Sequence, residues 1–229
     1  MKKINLLTIF TLVLLIFAQG ISQDKIALIL KARGKTSIKR AQGVDFKSGV
    51  TVGTPLYSKD QIKTGDDGYA AIVFLDDKTQ IKVRENTEMV ISGDRKPEAI
   101  SKLISMQFGT LKAEVTPMKK GEFTIATPTS VASVKGTVFW VQSDPINGDA
   151  FYGISGLVEV TNNESGAIIL VGANQTGTSM PDGETGVEST QSGEAPEDKP
   201  EQGTEMINSL RIQFQNPSGE TKDLRIDYK

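Results

Sequence analysis

The stretch from Phe123 to Val141, FTIATPTSVASVKGTVFWV, constrains this chain more than any other. Phe123, Ile125 and Thr127 alternate with Thr124 and Ala126 until Pro128 removes a backbone donor, which is the period and the ending of a β-strand. Val131 to Val141 reads as a second strand, β-branched and aromatic, and Val138, Phe139, Trp140 and Val141 offer apolar side chains to both faces of a sheet. Such a segment belongs deep inside a β protein. Gly136 stands just before the bulkiest residues, where a missing Cβ lets another backbone approach or a bulge form. Trp140, the single Trp, is expected as a core indole rather than a platform for a sugar.

The rest of the chain repeats that grammar. From Ile26 onward, short β-rich runs such as KIALILKA and TSIKRA are separated by Gly, Asp, Asn and Pro, and Gly43 to Pro55 is rich in turn residues. No long segment keeps apolar residues at i, i+3, i+4 and i+7, so the expected class is all-β, a sandwich or a rolled, solenoid-like domain. The clearest hairpin is Tyr69 to Val83, where AAIVFL and TQIKVR flank Asp76-Asp77-Lys78. Later strands are expected at Leu103–Val115, Phe151–Thr161 and Ala167–Gly172. Gly109 to Val115 and Gly156 to Val160 share a local shape, a Gly followed by an alternating strand, which suits stacked or rolled β-architecture.

The two ends of the chain differ from its middle. Met1 to Ser22 carries Lys2 and Lys3, an apolar run from Leu6 to Ala18, and small residues at Ala18, Gly20 and Ser22, the pattern of a secretory signal peptide. With cleavage near Gly20 to Gln23 and no Cys at the boundary for a lipid anchor, the expected product is exported and periplasmic, with secreted or envelope-associated as the alternative, and not membrane-spanning. The expected domain then runs from 23 to 179. Between 180 and 206 eight acids, from Asp182 to Glu205, face only Lys199, so a disordered acidic linker with a reach of about 30 Å is expected. The tail from 207 to 229 recovers β-pattern. Leu210, Ile212 and Phe214 are echoed by Leu224, Ile226 and Tyr228 around Asn216-Pro217-Ser218-Gly219, which reads as a hairpin. These six residues are the candidate partner-binding set: the hairpin is expected to add to an open sheet edge, either of its own domain in cis or, in trans, of an envelope protein or a second copy of the chain.

Composition removes several chemistries. With no Cys and no His, thiol or imidazole catalysis and Cys/His metal or haem sites are excluded. A formal charge of −2 and no Lys/Arg stripe among 26 basic residues argue against nucleic acid. Asp66-Asp67-Gly68 and Asp76-Asp77 could offer oxygens to calcium, but Asp is equally at home in turns. No acid pair stands out as a catalytic dyad, so neither an enzyme nor a cofactor is expected.

Three motifs, in order, resemble the FecR-type periplasmic domain. Asp60-Gln61-Ile62-Lys63-Thr64-Gly65, followed by Ala70 to Asp77, is similar to the family's Asp-x-Ile-x-Thr-Gly turn and its Asp-tipped hairpin. Thr127-Pro128 with Val134-Lys135-Gly136-Thr137-Val138-Phe139 resembles the Thr-Pro and Val-Arg-Gly-Thr-x-Phe signatures, and Gly156-Leu157-Val158-Glu159-Val160 resembles Gly-x-Val-x-Val. The family-motif residues are thus Asp60, Thr64, Gly65, Asp76, Thr127, Pro128, Lys135, Gly136, Thr137, Phe139 and Gly156. Lys59 and Lys78 stand where the family has Gly, which implies negative-φ turns there, and Lys135 replaces an Arg and gives up its bidentate fork. The resemblance implies an all-β module that transmits or scaffolds. Well-known members also carry a cytoplasmic anti-sigma region, a membrane helix and a further C-terminal domain; this chain is expected to lack them, so sigma-factor regulation is not carried over. A domain that binds envelope glycans or another small ligand is the alternative reading.

Overall fold

The computed structural model describes residues 24–96, 99–117 and 121–198, together with the backbone of two strands at 209–215 and 221–227. The first 23 residues, on which the signal-peptide expectation rests, lie outside the described residues. In chain order the first strands are β1 (Lys25–Arg33), β2 (Thr36–Lys39), β3 (Lys47–Ser48), β4 (Pro55–Tyr57), β5 (Asp60–Thr64), β6 (Tyr69–Phe74), β7 (Gln80–Val83) and β8 (Glu88–Lys96). A long central strand, β9 (Ala99–Glu114), is followed by β10 (Phe123–Ala126), β11 (Ser130–Val134), β12 (Val138–Asp144) and β13 (Gly148–Ser155). The series ends with β14 (Val158–Asn162), β15 (Ile168–Val171), β16 (Gln175–Ser179) and β17 (Thr185–Ser189). The expected all-β class is what the chain adopts.

These strands make one continuous sheet folded into two layers. Hydrogen-bonded neighbours in the first layer run β4-β1-β6-β7-β9-β12-β13-β16-β17. In the second they run β3-β2-β5-β8-β9-β10-β11-β14-β15. β9 belongs to both: residues 99–108 pair in the second layer and 109–114 in the first. All pairings are antiparallel except β9 with β10. The inner faces share one apolar core, in which Ile72, Phe74, Ile81 and Phe139 of the first layer meet Ile62, Ile91, Ile104 and Phe123 of the second. Phe74 and Phe123 touch edge to face across the layers, 6.5 Å between ring centroids, a geometry that the ring quadrupole favours.

The chain changes layer where the sequence provides a backbone that can turn. At Gly109, with φ +113°, a Cβ would lie 2.3 Å from Thr87 Oγ1, so only glycine lets β9 bend here from one layer into the other. Gly156 marks a second crossing. The expected strand from Phe151 to Thr161 is therefore two strands in different layers, β13 and β14, and the two similar Gly-led segments begin at two of the chain's several crossings between layers.

The acidic stretch departs from expectation. Residues 180–189 are not linker: β17 pairs with β16 through five consecutive positions, from Gln175 opposite Ser189 to Ser179 opposite Thr185. Met180 and Gly183 close the turn between them, with Met180 N donating to Glu184 O at 2.8 Å. Composition pointed to disorder, but the Pro181-Asp182-Gly183 turn with Thr185 and Val187 beyond it is a hairpin signal, and ladder hydrogen bonds hold this exposed edge. The chain divides into two units at Ala195/Pro196.

In the second unit the strands β18 (Ser209–Gln215) and β19 (Thr221–Asp227) form the expected hairpin. Its register sets Leu210 opposite Ile226, Ile212 opposite Leu224 and Phe214 opposite Lys222. Tyr228 and the turn at 216–220 lie outside the described residues.

Candidate functional site

Asp60, Thr64, Gly65, Gly136, Thr137 and Gly156 stand where the chain passes between layers, Asp76, Thr127 and Pro128 at hairpin turns within a layer, and each does local work there. Asp60 opens β5 and is 1% exposed. Its Oδ2 accepts from Tyr57 N at 2.9 Å and from Arg40 Nη1 at 2.5 Å, and Arg40 also donates to Pro55 O at 2.9 Å. One aspartate thus closes the β4–β5 turn and pins a guanidinium across it. Beside it, Lys59 adopts φ +71°, and Lys78 in the β6–β7 turn adopts φ +65°. Both contradict the negative-φ expectation. The lysines keep the left-handed geometry a glycine would favour, because the ladder and an Asp cap on each turn outweigh a strain of about 1 kcal/mol. Lys59 N donates to Ile91 O at 2.8 Å, and Asp77 Oδ1 accepts Thr79 N at 2.9 Å.

Asp76 and Asp77 meet a buried cation. Lys102 on β9 sits in phase with Ile100, Ile104 and Met106 and points into the core with its side chain fully covered. Its Nζ lies 2.8 Å from Asp76 Oδ2 and 2.8 Å from Asp77 Oδ2, and 3.2 Å from Ile100 O. The ammonium also stands 5.3 Å from the centre of the Phe74 ring. Asp76 Oδ2 further accepts Ile100 N at 3.1 Å. Burial alone would raise the Asp76 carboxyl, but the hydrogen bonds from Lys102 and Ile100 hold it below the usual carboxylate range. A lysine therefore occupies the place between the two acids that a calcium ion would have needed. At the other candidate, Asp66 pairs with Lys35 at 2.9 Å in solvent and Asp67 Oδ1 accepts Lys35 N. Among the described residues no group of three or more acids could hold a metal.

The second buried acid was not foreseen. Asp149 on β13 is 3% exposed, and its Oδ2 accepts the hydroxyls of Thr127, at 2.5 Å, and Ser130. Thr127 Oγ1 in turn accepts Ser130 N at 2.8 Å and so caps the Pro128 turn. Asp149 Oδ1 and Ser143 Oγ make no hydrogen bond of ordinary geometry, and burial pushes the Asp149 carboxyl up against the pull of the Ser130, Thr127 and Ser143 hydroxyls. Asp149 neighbours Ser143 and Ser179 in register, and Asn162 bonds Ser179 Oγ at 2.9 Å, so a buried polar seam joins the layers here.

The remaining motif positions are fasteners too. Thr64 Oγ1 donates to Arg84 O at 2.6 Å and accepts Thr87 N at 3.0 Å, while Gly65 bonds Lys35 and Asn86 through its backbone. Gly136, φ +111°, lies where a Cβ would come within 2.8 Å of Pro117 Cα, as its place before Phe139 led one to expect. Gly156 packs on Gly136 O, and Thr137 Oγ1 donates to Leu157 O at 3.1 Å, so these three residues lock one crossing. Phe139 is wholly buried in the core. Lys135 is exposed and lines a surface groove with Glu122, Glu159, Leu157 and Leu170.

Trp140 is buried, 2% exposed, but not between the layers. It lies on the outer face, since its neighbours Phe139 and Val141 fill the core, and Arg84 and Lys112 cover it, each 5.7 Å from the ring centre. The long stems of those cations shield the indole, which a hydrophobicity pattern cannot show. The backbone of the hairpin brings Leu210, Ile212, Phe214, Leu224 and Ile226 to facing positions of β18 and β19.

The profile of the FecR protein family matches residues 60–150. No curated protein matches the chain in sequence. Two crystal structures of a candidate anti-sigma factor from Parabacteroides distasonis ATCC 8503 are similar in backbone. One has 20% identity and a TM-score of 0.48, the other 21% and 0.47. Each comparison covers 57% of this chain and 59% of the other, so the chain spans little more than half of the solved protein. Among the described residues no helix is long and apolar enough to cross a membrane. The stretch from Asp60 to Ala150, which runs from β5 into β13 and includes most of the motif residues, is thus the part of this chain that is similar to the FecR protein family.

Proposed function

We propose that this protein is an exported, non-enzymatic FecR-type module that serves signalling or scaffolding in the cell envelope by docking another protein through its C-terminal hairpin. The observation that carries this reading is the hairpin's register. Leu210 with Ile226 and Ile212 with Leu224 are paired on a two-stranded sheet that belongs to the chain's second unit. A lone hairpin of this size is marginal in water, so its apolar pairs need cover from a binding surface. Strand addition or face-to-face docking would supply main-chain or apolar affinity with specificity from alternate side chains. The matched acids support the non-enzymatic reading, because Asp60 and Asp76 are spent on turns and on Lys102. Export is supported by Lys2, Lys3 and the apolar run from Leu6 to Ala18.

Deleting residues 207–229 tests the docking role. The expected result is an unchanged melting temperature for the domain with loss of a co-purifying envelope protein or of a dimer. A truncated domain that melts earlier while its associations persist would make the hairpin part of the fold, and the reading would fail. Intact-mass measurement on the periplasmic fraction checks export: the expected mass lacks the residues before about Gly20 to Gln23.

A further inference from the structure

The bend of β9 at Gly109 opens a concavity that none of the motif residues uses. Its volume is about 450 Å³, and it is lined by Phe108, Gly109 and Thr110 of β9, Gln142 and Asp144 of β12, Gly148 and Ala150 of β13, and Thr178 and Met180, with Asn86 at one side. That is the size of ordinary small-ligand clefts. Gly109, Gly148 and Ala150 keep the floor low, while Phe108 and Met180 are 38% and 36% exposed.

The chemistry of the wall is specific. Gln142 Oε1 accepts the Tyr152 hydroxyl at 3.0 Å, which fixes the amide and leaves its two N–H donors for a ligand. Asn86, Thr110 and Thr178 add an amide and two hydroxyls that are not spent on side-chain bonds within the domain. Two carboxyls reach the cleft: Asp144, held by Ile146 N at 2.8 Å and Asn147 N at 3.0 Å, and the buried Asp149. Among the described residues no Lys or Arg lines the cleft while two acids do, so it disfavours an anion. An exposed ring beside fixed amides and hydroxyls suits a ligand with an apolar C–H face and a rim of hydroxyls.

We infer that this cleft binds a neutral pyranose unit of a glycan, its sugar face on Phe108 and its hydroxyls on Gln142, Thr110, Thr178 and Asn86. This site is independent of the hairpin and would give the module a second, carbohydrate-directed contact. Calorimetric titration of the whole purified protein with neutral trisaccharides of glucose, N-acetylglucosamine and mannose, each to about 10 mM, tests it. At least one is expected to bind with a dissociation constant of roughly 0.1–1 mM. Phe108→Ala and Gln142→Leu should each weaken that binding about tenfold or more, with the melting temperature held. Thr178→Val provides a third variant should Phe108→Ala unfold, and Leu170→Ala, outside the cleft, should bind as the parent does. No saturable binding by any of the three sugars, or binding that survives Gln142→Leu and Thr178→Val, overturns the assignment.

Discussion

Asp76, at the exposed tip of the β6–β7 hairpin, and Asp149, buried on β13, belong to the same sheet layer, yet the fold treats them in opposite ways. Asp76 shares the ammonium of Lys102 with Asp77 and also takes the Ile100 amide, so its charged form is favoured. Asp149 receives only hydroxyls, those of Thr127 and Ser130 on one oxygen with Ser143 beside the other, so burial favours its neutral form. The difference joins partner and exposure: Asp76 at the surface meets a buried ammonium, whereas Asp149 is covered and has hydroxyl donors alone. It also bears on function, since both acids are accounted for by the joining of strands.

Lys102→Met should break this contrast most severely. Removing the ammonium leaves Asp76 and Asp77 facing one another at the hairpin tip, and a loss of about 3 kcal/mol is expected by chemical denaturation at neutral pH. A loss below about 1 kcal/mol would mean that solvent already screens the pair. Asp149→Asn should be far milder, within about 1 kcal/mol at neutral pH, because the amide keeps an acceptor for Thr127 and Ser130 and adds a donor near Ser143. A collapse of the domain in that variant would show that the carboxylate itself is required.

The smallest effects concern the two left-handed lysines. Lys59→Gly and Lys78→Gly should each stabilise by about 0.5–1 kcal/mol, because glycine relieves the positive-φ strain, offset in part by its greater freedom in the unfolded chain. Lys59 should show the clearer gain, since it belongs to the turn that Asp60 already fixes. Thermal melts of the two variants check the ranking.

How far the sequence reached follows the same physics. The all-β class, the Tyr69–Val83 hairpin and the close approach at Gly136 were legible because period, turn chemistry and a missing Cβ act locally. The burial of Lys102 was not, although Ile100, Ile104 and Met106 put it in core phase; a charged residue in a strand reads as solvent-facing unless its distant partners are known. Asp149 and Thr127 are 22 positions apart and joined only by the folding of the layers. The acidic composition of the stretch from Met180 masked β17, whose ladder with β16 depends on pairing rather than on burial. Lys59 and Lys78 were read as negative-φ by residue type, while the surrounding hydrogen bonds set the geometry.

The dependence of stability on pH for the parent, Asp76→Asn and Asp149→Asn, measured from about pH 2.5 to 8, tests most directly that these acids serve the fold in opposite senses. For Asp76 the folded state lowers the pKa, so its stabilisation is present above the ordinary carboxylate value and is lost as pH falls through the lower folded one. For Asp149 the folded state raises it, so its contribution is full below the ordinary value and is lost as pH rises through the folded one. The parent should therefore lose its advantage over Asp76→Asn on acidification and improve relative to Asp149→Asn over the same direction of pH. Difference curves of the same sign, or two flat ones, would contradict the account.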